Sequence, residues 1–166
     1  LIKKYNIKSI YDSPCGDFSW MSSIISENIS YIGVDIVPKL IDELSKKHSF
    51  STVKFLSLDI RCAIPPPVDL VIIRDCLFHL SNADALKCID NFIKSDAKYL
   101  LTTTHALPDD TLENLDIKTG EFRLINIFSS PFVLSPRYLE VINDSEAGLP
   151  PKWLVLFSRQ SLSSSC

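Results

Sequence analysis

Residues 9–36 read Ser9-Ile-Tyr-Asp12-Ser-Pro14-Cys15-Gly16-Asp-Phe18-Ser-Trp20-Met21-Ser-Ser-Ile24-Ile25-Ser-Glu-Asn-Ile-Ser-Tyr31-Ile-Gly-Val-Asp35-Ile36. Ser9 to Pro14 is a short apolar run of strand length that breaks at Pro-Cys-Gly. A helical pattern follows, with Trp20, Met21, Ile24 and Ile25 on its inward side. Tyr31 to Ile36 is a second apolar run that contains an acid. Strand, loop, helix, strand is the unit from which parallel sheets are wound.

The unit repeats outward from this stretch. Pro38 suits the first turn of a helix, and Leu40, Ile41 and Leu44 share one face of it. Val53 to Ile60 predicts a third strand. Val68 to Ile73 predicts a fourth, continuous in its apolar residues as a strand buried on both faces should be. Ser81-x-x-Asp84 has the spacing of a capping box, opening a helix with Leu86, Ile89 and Ile93 inward. Ala97 to Thr104 then predicts a fifth strand. Beyond Ala106 the rhythm changes to strand-like runs at Phe122–Phe128, Arg137–Ile142 and Trp153–Arg159, separated by Pro and Gly. The fold class predicted is α/β: a Rossmann-like, doubly wound, mostly parallel sheet with an antiparallel C-terminal hairpin edge.

At 166 residues the chain suits one domain, expected over residues 1–160, with the serine-rich residues 161–166 as an untethered tail. It opens on Leu1, and Leu-Ile-Lys-Lys-Tyr reads like the last turns of a helix whose beginning is absent, so a fragment is expected. The balance of 17 basic against 20 acidic side chains offers no basic stripe for a nucleic acid. No apolar stretch reaches the roughly 18 residues of a membrane span. The five cysteines, Cys15, Cys62, Cys76, Cys88 and Cys166, contain no Cys-x-x-Cys pair, which points to neither a disulfide framework nor a metal site. A cytoplasmic location suits them. The oligomeric state is not legible.

Ligands of such sheets bind outside the carboxyl ends of the strands. Gly16, at the first strand-to-helix turn, serves either a tight turn or the close approach of a ligand to the backbone. Asp35 follows it by 19 positions, near the offset at which an acid accepts hydrogen bonds from a ribose diol, although it could instead cap the helix that starts at Pro38. Asp59 could accept from an adenine amino group or be a loop acid. Arg74-Asp75-Cys76-Leu77-Phe78-His79 follows the fourth strand and carries three ionisable groups. They could converge on the crevice as a catalytic cluster, or form an Arg74–Asp75 ion pair with His79 capping the next helix. Thr102 to Thr104 and His105 are second-rank candidates, Pro65 to Pro67 suits a rigid loop, and Trp20, Phe92 and Trp153 suit the core.

With Asp12-x-Pro-Cys-Gly16, Gly-Val-Asp35, Leu-Asp59 and Arg74-Asp75-x-Leu-x-His79 in that order, the chain resembles class I S-adenosylmethionine-dependent methyltransferases. It resembles most the bacterial members carrying Asp-x-Pro-Cys-Gly-Asp-Phe-x-Trp-Met, present here from Asp12 to Met21. The resemblance implies S-adenosyl-L-methionine as cofactor. It implies that the loop of Asp12, Pro14, Cys15 and Gly16 approaches the methionine part, that Asp35 and Ile36 hold the ribose, and that Asp59 and Ile60 lie by the adenine. Arg74 is counted with the cofactor-binding residues, and Asp75 is expected to line the sulfonium end. Asp75 and His79 are the candidate general bases for a hydroxyl acceptor. Of the glycines usual at the positions of Pro14, Gly16 and Phe18, only Gly16 is present, and the segment that precedes the first strand in such enzymes is expected to be missing. Arg-Asp-Cys after the fourth strand differs from the Asn/Asp-Pro-Pro-Tyr signature of nucleic acid amino-methyltransferases, so the acceptor expected is a small molecule or glycan. A non-catalytic protein with this fold and a nicotinamide-dependent oxidoreductase are the rival readings.

Overall fold

The computed structural model describes residues 1–48 and 50–163. Seven strands form one sheet: β1 (Ser9–Asp12), β2 (Ser30–Asp35), β3 (Val53–Ser57), β4 (Leu70–Ile73), β5 (Tyr99–Thr104), β6 (Glu140–Asn143) and β7 (Trp153–Ser158), in the order β3-β2-β1-β4-β5-β7-β6. The first five are parallel, whereas β7 runs antiparallel to both β5 and β6. This is the mostly parallel sheet with an antiparallel hairpin edge that the sequence predicts. All four residues of β4 are buried, as its unbroken apolar run requires of a central strand.

Helices α1 (Ser19–Ser22), α2 (Pro38–Lys47), α3 (Asn82–Lys94) and α4 (Arg159–Ser163) complete the chain with a 3₁₀ turn at Leu77–His79. Pro38 stands at the start of α2, where its missing N–H costs nothing, and α2 buries Ile41 and Leu44. Ser81 caps α3 by accepting from the Asp84 N–H at 3.2 Å. The capping box is only half formed, because the Asp84 carboxylate turns instead to Arg61, Lys87 and Thr119. The stripe α3 buries is Ala85, Cys88, Ile89 and Phe92, with Leu86 and Ile93 at its margin.

Four expectations are corrected. The helix after β1 is a single turn that buries Met21, and Ile24 is exposed. Phe122–Phe128 is not a strand. Its alternation holds only from Phe122 to Ile125, with Arg123 and Ile125 buried and Phe122 and Leu124 exposed, and ends in the buried run Ile125, Asn126 and Ile127; β5 already pairs with β4 and β7 and offers no free edge. The segment is held by isolated bonds rather than a ladder: the Arg123 N–H donates to the Phe78 carbonyl at 3.1 Å, Asn114 Oδ1 accepts from the Asn126 N–H at 2.8 Å, and His105 Nδ1 accepts from the Ile125 N–H at 3.2 Å. The serine-rich end is helical through Ser163 with Leu162 buried; residues 164–166 lie outside the described residues. Trp20 is only partly buried, beneath the Arg74 guanidinium at 5.0 Å from the ring centroid. Phe92 is core, as expected.

Candidate active site

A cleft of about 280 Å³ opens at the carboxyl ends of the parallel strands. Pro14 lines it from the loop after β1, Asp35 and Ile36 from the end of β2, Asp59 and Ile60 from beyond β3, and Asp75 and His79 from beyond β4. Four candidates are not among its lining residues: Asp12, Cys15, Gly16 and Arg74.

Asp12 is fully buried one residue behind the cleft. Its Oδ2 accepts from the Tyr31 hydroxyl at 2.7 Å, and its Oδ1 has no partner among the described residues. Burial pushes the carboxyl up to about 7, against the opposing pull of the Tyr31 bond and the Arg74 charge. Cys15 donates its N–H to the Val34 carbonyl at 2.8 Å, while its buried thiol is pushed up to about 12 by desolvation and stays protonated. Gly16 has a φ of +52°, and a Cβ built there would meet nothing within 4 Å. Glycine therefore answers the left-handed backbone rather than crowding by the protein. Phe18 also has positive φ, at +63°, so a backbone shape suited to glycine persists here beneath a buried ring packed on Tyr31, His48 and Phe55.

Asp35 lies just before α2 without being its cap, a position held by Val37. Its Oδ1 accepts from the Val37 N–H at 3.0 Å, at the entry to α2, and it lines the cleft although only 8% exposed. Among the described residues no donor reaches its Oδ2. Asp59, by contrast, is saturated: Arg61 reaches Oδ1 with its N–H at 2.9 Å and Nε at 3.0 Å, and Oδ2 with Nη2 at 2.6 Å, which holds the carboxyl below the usual range.

Arg74 turns away from the cleft toward Asp144, with Nε–Oδ2 and Nη2–Oδ1 distances of 3.0 and 3.2 Å, and lies 3.4 Å from Asp75. Asp75 has a φ of +51° and accepts from Lys152 Nζ on both oxygens, at 2.9 and 2.7 Å. His79 ends the 3₁₀ turn, exposed, with Nδ1 3.0 Å from the Glu121 carbonyl oxygen. It does not cap α3, a task taken by Ser81.

Lys152 and the covering residues Thr119 and Gly120 were missed by the sequence reading. Nothing local marked them: Lys152 follows two prolines near the end of the chain, and only the antiparallel return of β7 brings it to β4. Gly120 arrives because its N–H donates to the His79 carbonyl at 2.7 Å. Arg61 carried a weak signal, being two residues from Asp59.

The strand order, with β7 inserted antiparallel between β5 and β6, decides the comparison with known folds. The N-methyltransferase NodS of Bradyrhizobium japonicum bound to S-adenosyl-L-homocysteine superposes with a TM-score of 0.71 at 13% identity, covering 95% of this chain and 80% of that one. The 1,6-didemethyltoxoflavin-N1-methyltransferase of Burkholderia thailandensis gives a TM-score of 0.69 at 11% identity over 95% and 74%. Magnesium protoporphyrin IX methyltransferase of Synechocystis gives 0.64 at 15% identity over 92% and 70%. The chain has the class I S-adenosylmethionine-dependent methyltransferase fold. No family model matches its sequence, and no curated protein does. Within this methyltransferase fold, the cleft at the ends of β1, β2 and β4 is where the strand order reverses, the position at which doubly wound sheets take their ligands.

Proposed function

We propose that the chain binds S-adenosyl-L-methionine in this cleft and transfers its methyl group to an oxygen or nitrogen of a small-molecule or glycan acceptor. The observation that carries the reading is Asp35: a nearly buried carboxylate with one oxygen fixed by the Val37 N–H and the other without a protein partner, beside a cleft. A hydroxyl donating to a charged carboxylate oxygen contributes about 1.5–3 kcal/mol, and a ribose hydroxyl is such a donor. Ile36 and Ile60 offer apolar surface to a base.

When bound, the cofactor supplies an electrophilic methyl group on a sulfonium. The protein's part is then positioning: holding the nucleoside on Asp35 and an acceptor atom in line, which contributes most of the acceleration in such transfers. A second reading, a non-catalytic binder, draws on Asp75, whose oxygens are both taken by Lys152 and which therefore makes a poor base.

Calorimetric titration with S-adenosyl-L-homocysteine tests the proposal, with NADH as the contrasting ligand. Micromolar binding by the wild type, weakened roughly tenfold or more in Asp35→Ala, is expected. No heat at millimolar ligand, or preference for NADH, would overturn it.

A further inference from the structure

Beside the cleft, four rings form one cluster. Phe78 lies 4.5 Å from His79, 5.0 Å from His105 and 5.5 Å from Phe122, centroid to centroid. Phe122 in turn lies 5.8 Å from His79 and 6.3 Å from His105. Phe78 is buried, yet Phe122 is 55% exposed. A ring held in place by three others while more than half in water presents a fixed face to a further planar group.

The two histidines are set in opposite tautomers by their partners. A carbonyl oxygen only accepts, so His79 Nδ1, 3.0 Å from the Glu121 oxygen, carries a proton, and in the neutral ring the lone pair is on Nε2. A backbone N–H only donates, so His105 Nδ1, 3.2 Å from the Ile125 nitrogen, is the bare atom and Nε2 carries the proton. Burial holds His105 below its ordinary value and so in this neutral form, with Asp75 opposing and Lys152 assisting the shift. On either side of Phe122 there is thus one proton acceptor and one fixed donor. Asp75 is excluded as the base because Lys152 occupies both its oxygens.

Resting on the methyl-transfer reading, we propose that His79, Phe122 and His105 form the acceptor subsite, and that it takes a planar aromatic ring bearing an ionisable hydroxyl. The ring stacks on Phe122, the hydroxyl meets His79 Nε2, and a second polar atom of the ligand accepts from His105 Nε2–H. The O–H bond breaks with its proton passing to Nε2, giving an imidazolium, and its electron pair stays on the oxygen as the nucleophile. A phenolic hydroxyl, which ionises near pH 10, is acidic enough for a neutral imidazole to assist, whereas an aliphatic hydroxyl is a far weaker acid.

The probe is 4-nitrophenol, whose phenol and phenolate forms absorb at different wavelengths, titrated into the protein without cofactor. Saturable binding with an increased phenolate fraction is expected. Phe122→Ala should weaken it roughly 3- to 10-fold. His79→Gln should still bind the probe but lose the phenolate increase, with near-ultraviolet circular dichroism reporting that both variants fold. Absence of saturable binding, or variants that behave as the wild type, would overturn the subsite. Binding of S-adenosyl-L-homocysteine without binding of nitrophenol sinks this inference alone; nitrophenol binding without the nucleoside sinks the methyl-transfer reading and leaves the ring site standing.

Discussion

Lys152 reaches across from the residue before β7 to place Nζ 2.9 and 2.7 Å from the two carboxylate oxygens of Asp75, two residues beyond β4. Lys152 is 7% exposed and its amine also lies 3.6 Å from Asp144, so the pair ties the antiparallel hairpin to the parallel half at the cleft mouth. Lys152→Met should destabilise the fold by about 1–3 kcal/mol, a range kept low because the partly exposed Asp75 retains Arg74 and water. Adding Asp75→Asn should recover part of that loss, with a coupling of at least about 0.5 kcal/mol in urea denaturation. Strict additivity would show that the bond does not hold the two halves.

Asp12 makes stability depend on pH in an unusual direction. Its carboxyl is raised in the folded state from 3.8 to about 7, chiefly by burial. The folded protein therefore holds the proton more tightly than the unfolded chain between those values. This contribution is complete below about pH 4 and is lost as the pH climbs through about 7. Asp12→Asn, which can still accept from Tyr31, should be more stable than the wild type at about pH 8, by at most a few kcal/mol, with the gap closing at about pH 5. Equal pH dependence in the two proteins would contradict the shift.

Gly33 is fixed by crowding. A Cβ built on it would stand 2.8 Å from Phe55 Cδ1 and 2.9 Å from Tyr31 Cε1. Gly33→Ala must push two buried rings apart and should cost about 1–3 kcal/mol in thermal or urea unfolding. An unchanged midpoint would mean that the rings yield freely.

Phe18 sets backbone strain against packing. Glycine in its place would relieve the positive φ, a gain of about 1 kcal/mol, but would remove a buried ring, a loss of about 3–5 kcal/mol. Phe18→Gly should thus be destabilised by about 2–4 kcal/mol. A more stable variant would show that the ring was tolerated rather than needed.

The parallel half was legible because its signals are local. An unbroken apolar run makes β4, Pro38 opens α2, Ser81 caps α3, and Asp35 stands at its strand end beside the cleft. The stretch from Ala106 to Pro136 was not. Its alternation from Phe122 to Ile125 is what a half-buried strand shows, and the occupied edges of β5 decide against one. The partners that Arg74 and Asp75 take, Asp144 and Lys152, lie 70 and 77 residues away in sequence. Nothing in the residues around an acid reports which distant cation will reach it.

The covering loop is attached by its main chain. The Gly120 N–H donates to the His79 carbonyl at 2.7 Å, the Arg123 N–H to the Phe78 carbonyl at 3.1 Å, and the His105 N–H to the Ile125 carbonyl at 2.7 Å. Two of these attachments ask nothing of the side chains at Glu121, Phe122 and Leu124, which face outward between anchored positions. Those three positions can therefore be recoded while the nucleoside half of the cleft stays intact. If the proposed acceptor subsite holds, acceptor choice is a detachable trait of the chain, and a library varied at these residues alone would redirect specificity without rebuilding the scaffold.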